Sequence, residues 1–387
     1  MNDDQEDRAI AENYRKDRQA VDAKKAGVEP RSFQQQLQAI EDNQELLLAI
    51  ARSYGTGEEA PAIAEYMRAL AQTSAGSEFD DLNARSILER VIGEVEAACV
   101  RKRIPIRGSV AYGVSYEPGA TAGQRAVLLT ESSIIDASMP FFILCNRIAK
   151  QMALTVIIAD EDKPLRYSHD PKEVQTHLDQ NPDLVVGWED IFSAFALAKV
   201  PQADFTQTLN VPVTAIWAML LRSIELFAMG HEYGHHVMRH GLSDSSEEKE
   251  DVLEEEHEAD RFARAASIAM GADESPQNRF AMYGVGAILI LGAIDIIRRA
   301  DALISTGSDV TTPRKRHPSF VARIKEIATL DKQLPEADQK AAAAMRSGFM
   351  DIIEIIWDRI KPRLLQLHEE GQRKTAPAFD GSQWLPP

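Results

Sequence analysis

Apolar positions recur three and four residues apart through most of this chain, and that spacing predicts a mainly helical protein. Residues up to about 25 mix acids and bases with few apolar positions and predict a frayed or exposed helix. Over 32–71 the apolar marks are Leu37, Ile40, Leu46, Leu47 and Ile50. Tyr54-Gly55-Thr56-Gly57 interrupts this pattern before a second helix around 62–71. Leu82, Ile87, Leu88, Val91, Ile92 and Val95 then share one side of a helix over about 81–100.

After Ile104 the period shortens. SVAYGVSYEP and RAVLLTESSII are β-rich and separated by the turn-forming Pro118-Gly119 and Gly123. The helical stretch FFILCNRIAKQMA follows, and then a strand-like TVIIAD running into Asp160-Glu161-Asp162. Residues 170–197 read as a helical connection. Pro201 and Pro212 bracket a loop, with Asn210 or Thr214 as candidate caps for the next helix. The most apolar run, FAMYGVGAILILGAI over 280–294, is shorter than the roughly 20 residues a membrane span needs, so it predicts a buried core helix.

The long helix expected over 216–240 changes character at its end, where it presents His231, Glu232, His235, His236 and His240. Residues four apart share a helix face, so His231 and His235 can turn their imidazoles toward one metal ion. Glu232 then stands beside the ion and is placed to take a proton from a metal-bound water. This is the HExxH arrangement of zinc hydrolases. Gly230 and Gly234 are costly inside a helix but allow close approach of other backbone or of substrate. His236 and His240 are also four apart, but no base lies between them and no third ligand is evident; they read as surface or helix-end residues.

A catalytic zinc keeps three protein ligands and one open position. The acidic run SDSSEEKEDVLEEEHEADRFARAA over 243–266 is mostly a solvated face. Within it, Val252, Glu256, Ala259, Asp260 and Ala263 line up at steps of three and four, which puts Glu256 on the inward stripe. Glu254, Glu255 and Glu258 point elsewhere, and His257 neighbours the stripe without lying on it. Asp260, one turn beyond Glu256, is placed to hold a ligand histidine by a hydrogen bond. A break at Gly241-Leu242-Ser243-Asp244 is long enough to fold this helix back beside the first.

Composition narrows the setting. The 387 residues carry a net charge of −17, with a pI near 5.1, which argues against nucleic acid and anionic membrane surfaces as partners. The charged N-terminal stretch lacks the apolar core of a secretory signal. Cys99 and Cys145 do not make a disulfide framework, and their apolar surroundings predict buried free thiols in a reducing, cytoplasmic compartment.

HEYGHH followed by EHEAD resembles the gluzincin metallopeptidases, whose second motif is Glu-x-x-Ala-Asp on a following helix. His317-Pro318-Ser319 with Arg323 and Ile324 is similar to the His-Pro…Arg-Ile segment of the HtpX and CAAX-prenyl-protease family. The resemblance covers roughly residues 227–327. The membrane-spanning helices of that family have no counterpart here, and the short gap from His235 to Glu256 looks more like the soluble ImmA/IrrE-type peptidases. The resemblance implies that His231, His235 and Glu256 hold Zn²⁺, that Glu232 is the general base, and that His317 stabilises the oxyanion. It further implies that Arg323 braces Asp260 or substrate.

The expected protein is thus α+β but mainly helical, a zincin-like metallopeptidase core with a small β-sheet preceding the HExxH helix. Its expected parts are an N-terminal helical region over 1–103 with a regulatory role, a peptidase domain over 104–331, and a C-terminal helix and tail over 332–387. The expected activity is cleavage of a cytoplasmic protein or peptide, with an extended substrate pairing on a sheet edge within 109–135. A regulatory partner or a second copy would meet the N-terminal helices. Two other classes fit parts of the pattern. One is a zinc-binding sensor on a peptidase scaffold, for which the base Glu232 has no use. The other is a di-iron carboxylate bundle built on Glu232/His235 and Glu254/His257, which leaves His231 unused.

Overall fold

The computed structural model describes residues 2–30, 76–117, 119–158, 165–197, 210–240, 249–312 and 317–373, with single positions between 32 and 38. Nearly all of the helical stretch expected over 32–71, the loop before Asn210, the turn at 241–244 and the tail from 374 lie outside the described residues. Among the described residues the protein is mostly helical with a small sheet.

The first helix, α1 (Asn2–Lys25), departs from the frayed or exposed element expected from its charge. Its Ala11, Arg15, Gln19 and Ala23 recur at steps of four and are buried against the sheet. The buried stripe was hard to see because two of its four members are polar. Helix α2 (Leu82–Lys102) begins at Asp81, whose side chain accepts from the Ala84 amide.

Strands β1 (Val110–Ser115), β2 (Ala122–Ala126) and β3 (Ser133–Ser138) form a sheet of order β1-β3-β2, with β1 parallel and β2 antiparallel to the central strand. The outer edge of β1 is closed by side chains. The Val114 amide donates to Asp80 Oδ1 at 3.0 Å, and the Val114 carbonyl accepts from Gln19 Nε2 at 2.7 Å. Arg15 and Arg85 both donate to the same Asp80 carboxylate, so the edge is sealed by a buried, paired charge cluster.

Helix α3 (Met139–Val156) starts with Ser138 as cap and Pro140 in its first turn, and leads into the two-residue pair β4 (Ile157–Ile158) and β5 (Arg166–Tyr167). Helices α4 (Pro171–Gln180) and α5 (Pro182–Ala196) fill the expected connection. Helix α6 (Val211–Val237) is the hub. Asn210 Oδ1 caps it by accepting from the Val213 amide at 3.0 Å, and Pro212 sits in its first turn. Every residue from Ser223 to His236 is buried, enclosed by α2, α3 and the later helices.

Helix α7 (Lys249–Asp273) lies against α6 along most of its length. The apolar run over 280–294 is buried as expected but is not one helix. It divides into α8 (Arg279–Met282) and α9 (Val285–Thr306) at Gly284, whose φ of +80° suits glycine and ends the first turn. Helix α10 (Phe320–Ala328) and the long α11 (Glu336–Glu369) complete the described chain. Among the described residues one helix, α6, is long and apolar enough by composition to cross a membrane, and its second half is the part enclosed by the other helices. Both cysteines are buried free thiols.

Candidate metal centre

The close approach of α6 and α7 is a consequence of small residues. A side chain at Gly234 would meet Ala259 Cα at 3.1 Å, and one at Gly230 would meet Ala263 Cα at 3.3 Å. The two glycines therefore admit the backbone of the neighbouring helix rather than a substrate. With α7 drawn in this far, its inward stripe faces the histidines of α6.

Three ligand-bearing groups meet there. His231 Nε2 and His235 Nε2 stand 3.0 Å apart, and the Glu256 carboxylate oxygens lie 3.7 Å from each of them. All three residues are buried, and their ligand atoms fall within 4.8 Å of one another. A tetrahedral zinc with bonds of about 2.0–2.2 Å would set its ligand atoms roughly 3.3–3.6 Å apart, so the observed spacing suits one ion with small adjustments. Glu256 Oε2 makes no well-formed hydrogen bond although it is buried, with His317 Nδ1 3.2 Å away but off the bonding direction. A buried carboxylate oxygen left in this state beside two imidazole nitrogens fits a cation between them.

Behind the histidines the charges are tied together. Asp260, fully buried on α7, accepts from His231 Nδ1 at 3.0 Å. Arg323, at the start of α10, grips the same carboxylate with Nε at 2.7 Å and Nη2 at 2.6 Å, a two-point pairing that a lysine could not make. Burial favours the neutral form of Asp260, but Arg323 and His231 outweigh it and hold the carboxyl below its ordinary range. Burial acts the same way on Glu256 and is overcome by His317, His231 and Arg323, so this carboxylate is also ionised. Burial and then the neighbouring His231 push His235 well below the usual histidine value, which keeps it a neutral ligand-type imidazole. Glu232 is fully buried within electrostatic reach of Arg323.

The remaining candidates fall as follows. His317 precedes α10, partly open to solvent, while Ser319 caps that helix by accepting from the Ala322 amide. His257 lies outside the converging group. Glu254 turns outward onto Arg261 at 2.6 Å, which removes it from the pairing that a di-iron bundle requires. His236 and His240 do not behave as surface residues: both are buried. His236 Nδ1 hydrogen-bonds with Ser133 Oγ at 2.9 Å and so ties the end of α6 to β3. His240 Nδ1 lies 2.7 Å from His235 Nδ1, and its Nε2 lies 3.0 Å from Glu258. Sequence periodicity misses His240 because it sits beyond the end of the helix, where no repeat applies.

The sequence pattern of the family described as Peptidase U49 matches residues 200–345. The match takes in α6, α7 and Arg323, the elements that build the cluster, and it supports a peptidase. Searches of curated proteins and of solved structures gave no match.

Proposed function

We propose that the protein is a zinc-dependent endopeptidase, with His231, His235 and Glu256 as the metal ligands. The observation that carries this reading is the buried convergence of two imidazoles and one ionised carboxylate on adjoining helices, beside a glutamate and within a segment that matches a peptidase family. This is the pattern of a gluzincin site. Zinc bound there would polarise the scissile carbonyl and make a bound water acidic.

The chain's own residues then have distinct tasks. Glu232 takes the proton of the attacking water and passes it to the leaving amine, the general acid–base role. His317, which reaches the site from the α10 side and keeps some solvent contact, donates to the developing oxyanion. Asp260 and Arg323 hold His231 in the orientation that aims Nε2 inward. An extended substrate would pair on β2, since the outer edge of β1 is already occupied by Gln19 and Asp80 and β2 is the strand that lies beside α6. The acidic chain and its buried thiols suit a cytoplasmic protein or peptide as substrate, with the N-terminal region, residues 1–103, as the site of restraint.

The test is cleavage of fluorescein-labelled casein by purified protein. Activity should be lost on treatment with a chelator and restored by zinc. Glu232→Gln should lower the rate by at least about 10²-fold, the lower range for general acid–base catalysis, while leaving zinc content unchanged. Equal rates in wild type and Glu232→Gln would end the peptidase reading and leave a zinc-binding sensor in its place.

A further inference from the structure

The turn that ends α6 places a second histidine against a proposed metal ligand. Arg239 has φ of +65°, a left-handed conformation uncommon outside glycine. It allows the His240 amide to bond the His235 carbonyl at 3.0 Å and the Arg239 amide to bond the His236 carbonyl at 3.2 Å. This pair of bonds is a Schellman motif. It folds the chain back so that the His240 ring lies edge-on to the His235 ring, with centroids 4.9 Å apart. The fold-back is held from outside by Arg239, which donates to Glu131 at 3.1 Å in the turn between β2 and β3.

The resulting chain of contacts runs in one direction. A carboxylate only accepts, so Glu258, 3.0 Å from His240 Nε2, requires the His240 proton on Nε2. With the His240 ring neutral, its Nδ1 is then an acceptor, and the atom it faces at 2.7 Å, His235 Nδ1, is the donor. His235 therefore carries its proton on Nδ1 and presents a bare Nε2 toward His231 and Glu256. On the other side Asp260 accepts from His231 Nδ1.

We infer that Glu258 and His240 form a relay that fixes the tautomer of His235, making His240 a positioning residue for the metal site. The inference rests on the zinc reading for its purpose. Its first consequence, the site of the His235 proton, is readable without any metal.

Two measurements on the full chain test it. In metal-free protein labelled with ¹⁵N-histidine, the ring spectrum should show His235 protonated on Nδ1; protonation on Nε2 in the wild type would overturn the relay. In zinc titrations against a chelating dye, His240→Ala should weaken binding by roughly 10–100-fold, the usual loss for a removed ligand partner. His240→Asn, whose amide oxygen replaces the Nδ1 acceptor, should recover most of that loss. Equal zinc affinity in wild type and His240→Ala would overturn the relay alone. A wild type that takes up no zinc would instead overturn the metal reading.

Discussion

Asp136, in the central strand of the sheet, shows how far burial governs single residues in this protein. Burial pushes its carboxyl up to about 6, with Glu117 adding to the effect and Arg125 opposing it from 4.0 Å. The folded state thus holds this proton more tightly than the unfolded chain does. Its contribution to folding stability should therefore fall as pH rises from about 4 through about 6 and stay level above that. The rise from 3.8 to about 6 corresponds to on the order of 3 kcal/mol. Asp136→Asn should be more stable than wild type by 2–3 kcal/mol, to order of magnitude, in urea denaturation at pH 7.5, with the gap closing near pH 3.5. A variant less stable than wild type at pH 7.5 would contradict this account. At the same scale, the positions of His231, His235, Glu256 and Asp260 were legible in the sequence because a helix makes residues three and four apart neighbours. Arg323 was reachable only through resemblance, since no local pattern links it to a carboxylate 63 residues earlier. His240 does stand at the helix end, as its spacing suggests, but its burial was not legible, because it depends on one left-handed residue, Arg239, and nothing in the residue type announces that conformation.

Between elements, the decisive contact is α6 on α7. Glycine inside a helix is ordinarily a weakness, and replacing it with alanine should gain roughly 1 kcal/mol of helix propensity. Here the gain is outweighed. The new methyl group of Gly234→Ala would stand 3.1 Å from Ala259 Cα and 3.2 Å from both the Ala259 carbonyl oxygen and Phe262 Cβ. Overpacking of this kind costs about 1–3 kcal/mol, and α7 is not free to yield, because Asp260 is pinned by Arg323. Gly234→Ala should therefore lower stability, by up to about 2 kcal/mol, in thermal or urea denaturation. Gly230→Ala, with its nearest contact at 3.3 Å, should cost less. A Gly234→Ala protein more stable than wild type would show that the two helices are not held at this distance. Whether these glycines admit a substrate or a helix was not legible from residue type, since both demands select the same residue. The run over 280–294 was legible as core, but its division at Gly284 was not, because the apolar pattern continues across the break.

For the whole molecule, the mainly helical build with a small sheet before the motif helix was readable from the change of period after Ile104. The docking of α1 was not, since its contact with the sheet uses Arg15 and Gln19 where a periodicity argument looks for apolar residues. The matched segment, residues 200–345, contains the helices that carry the ligands, while the sheet stands before it. The central claim is that these helices hold one zinc ion between His231, His235 and Glu256. Metal analysis of wild type, Glu232→Gln and Glu256→Ala purified side by side tests it most directly. The account predicts about one zinc per chain in the first two proteins and little in the third; a metal-free wild type, or a Glu256→Ala protein with undiminished zinc, would contradict it.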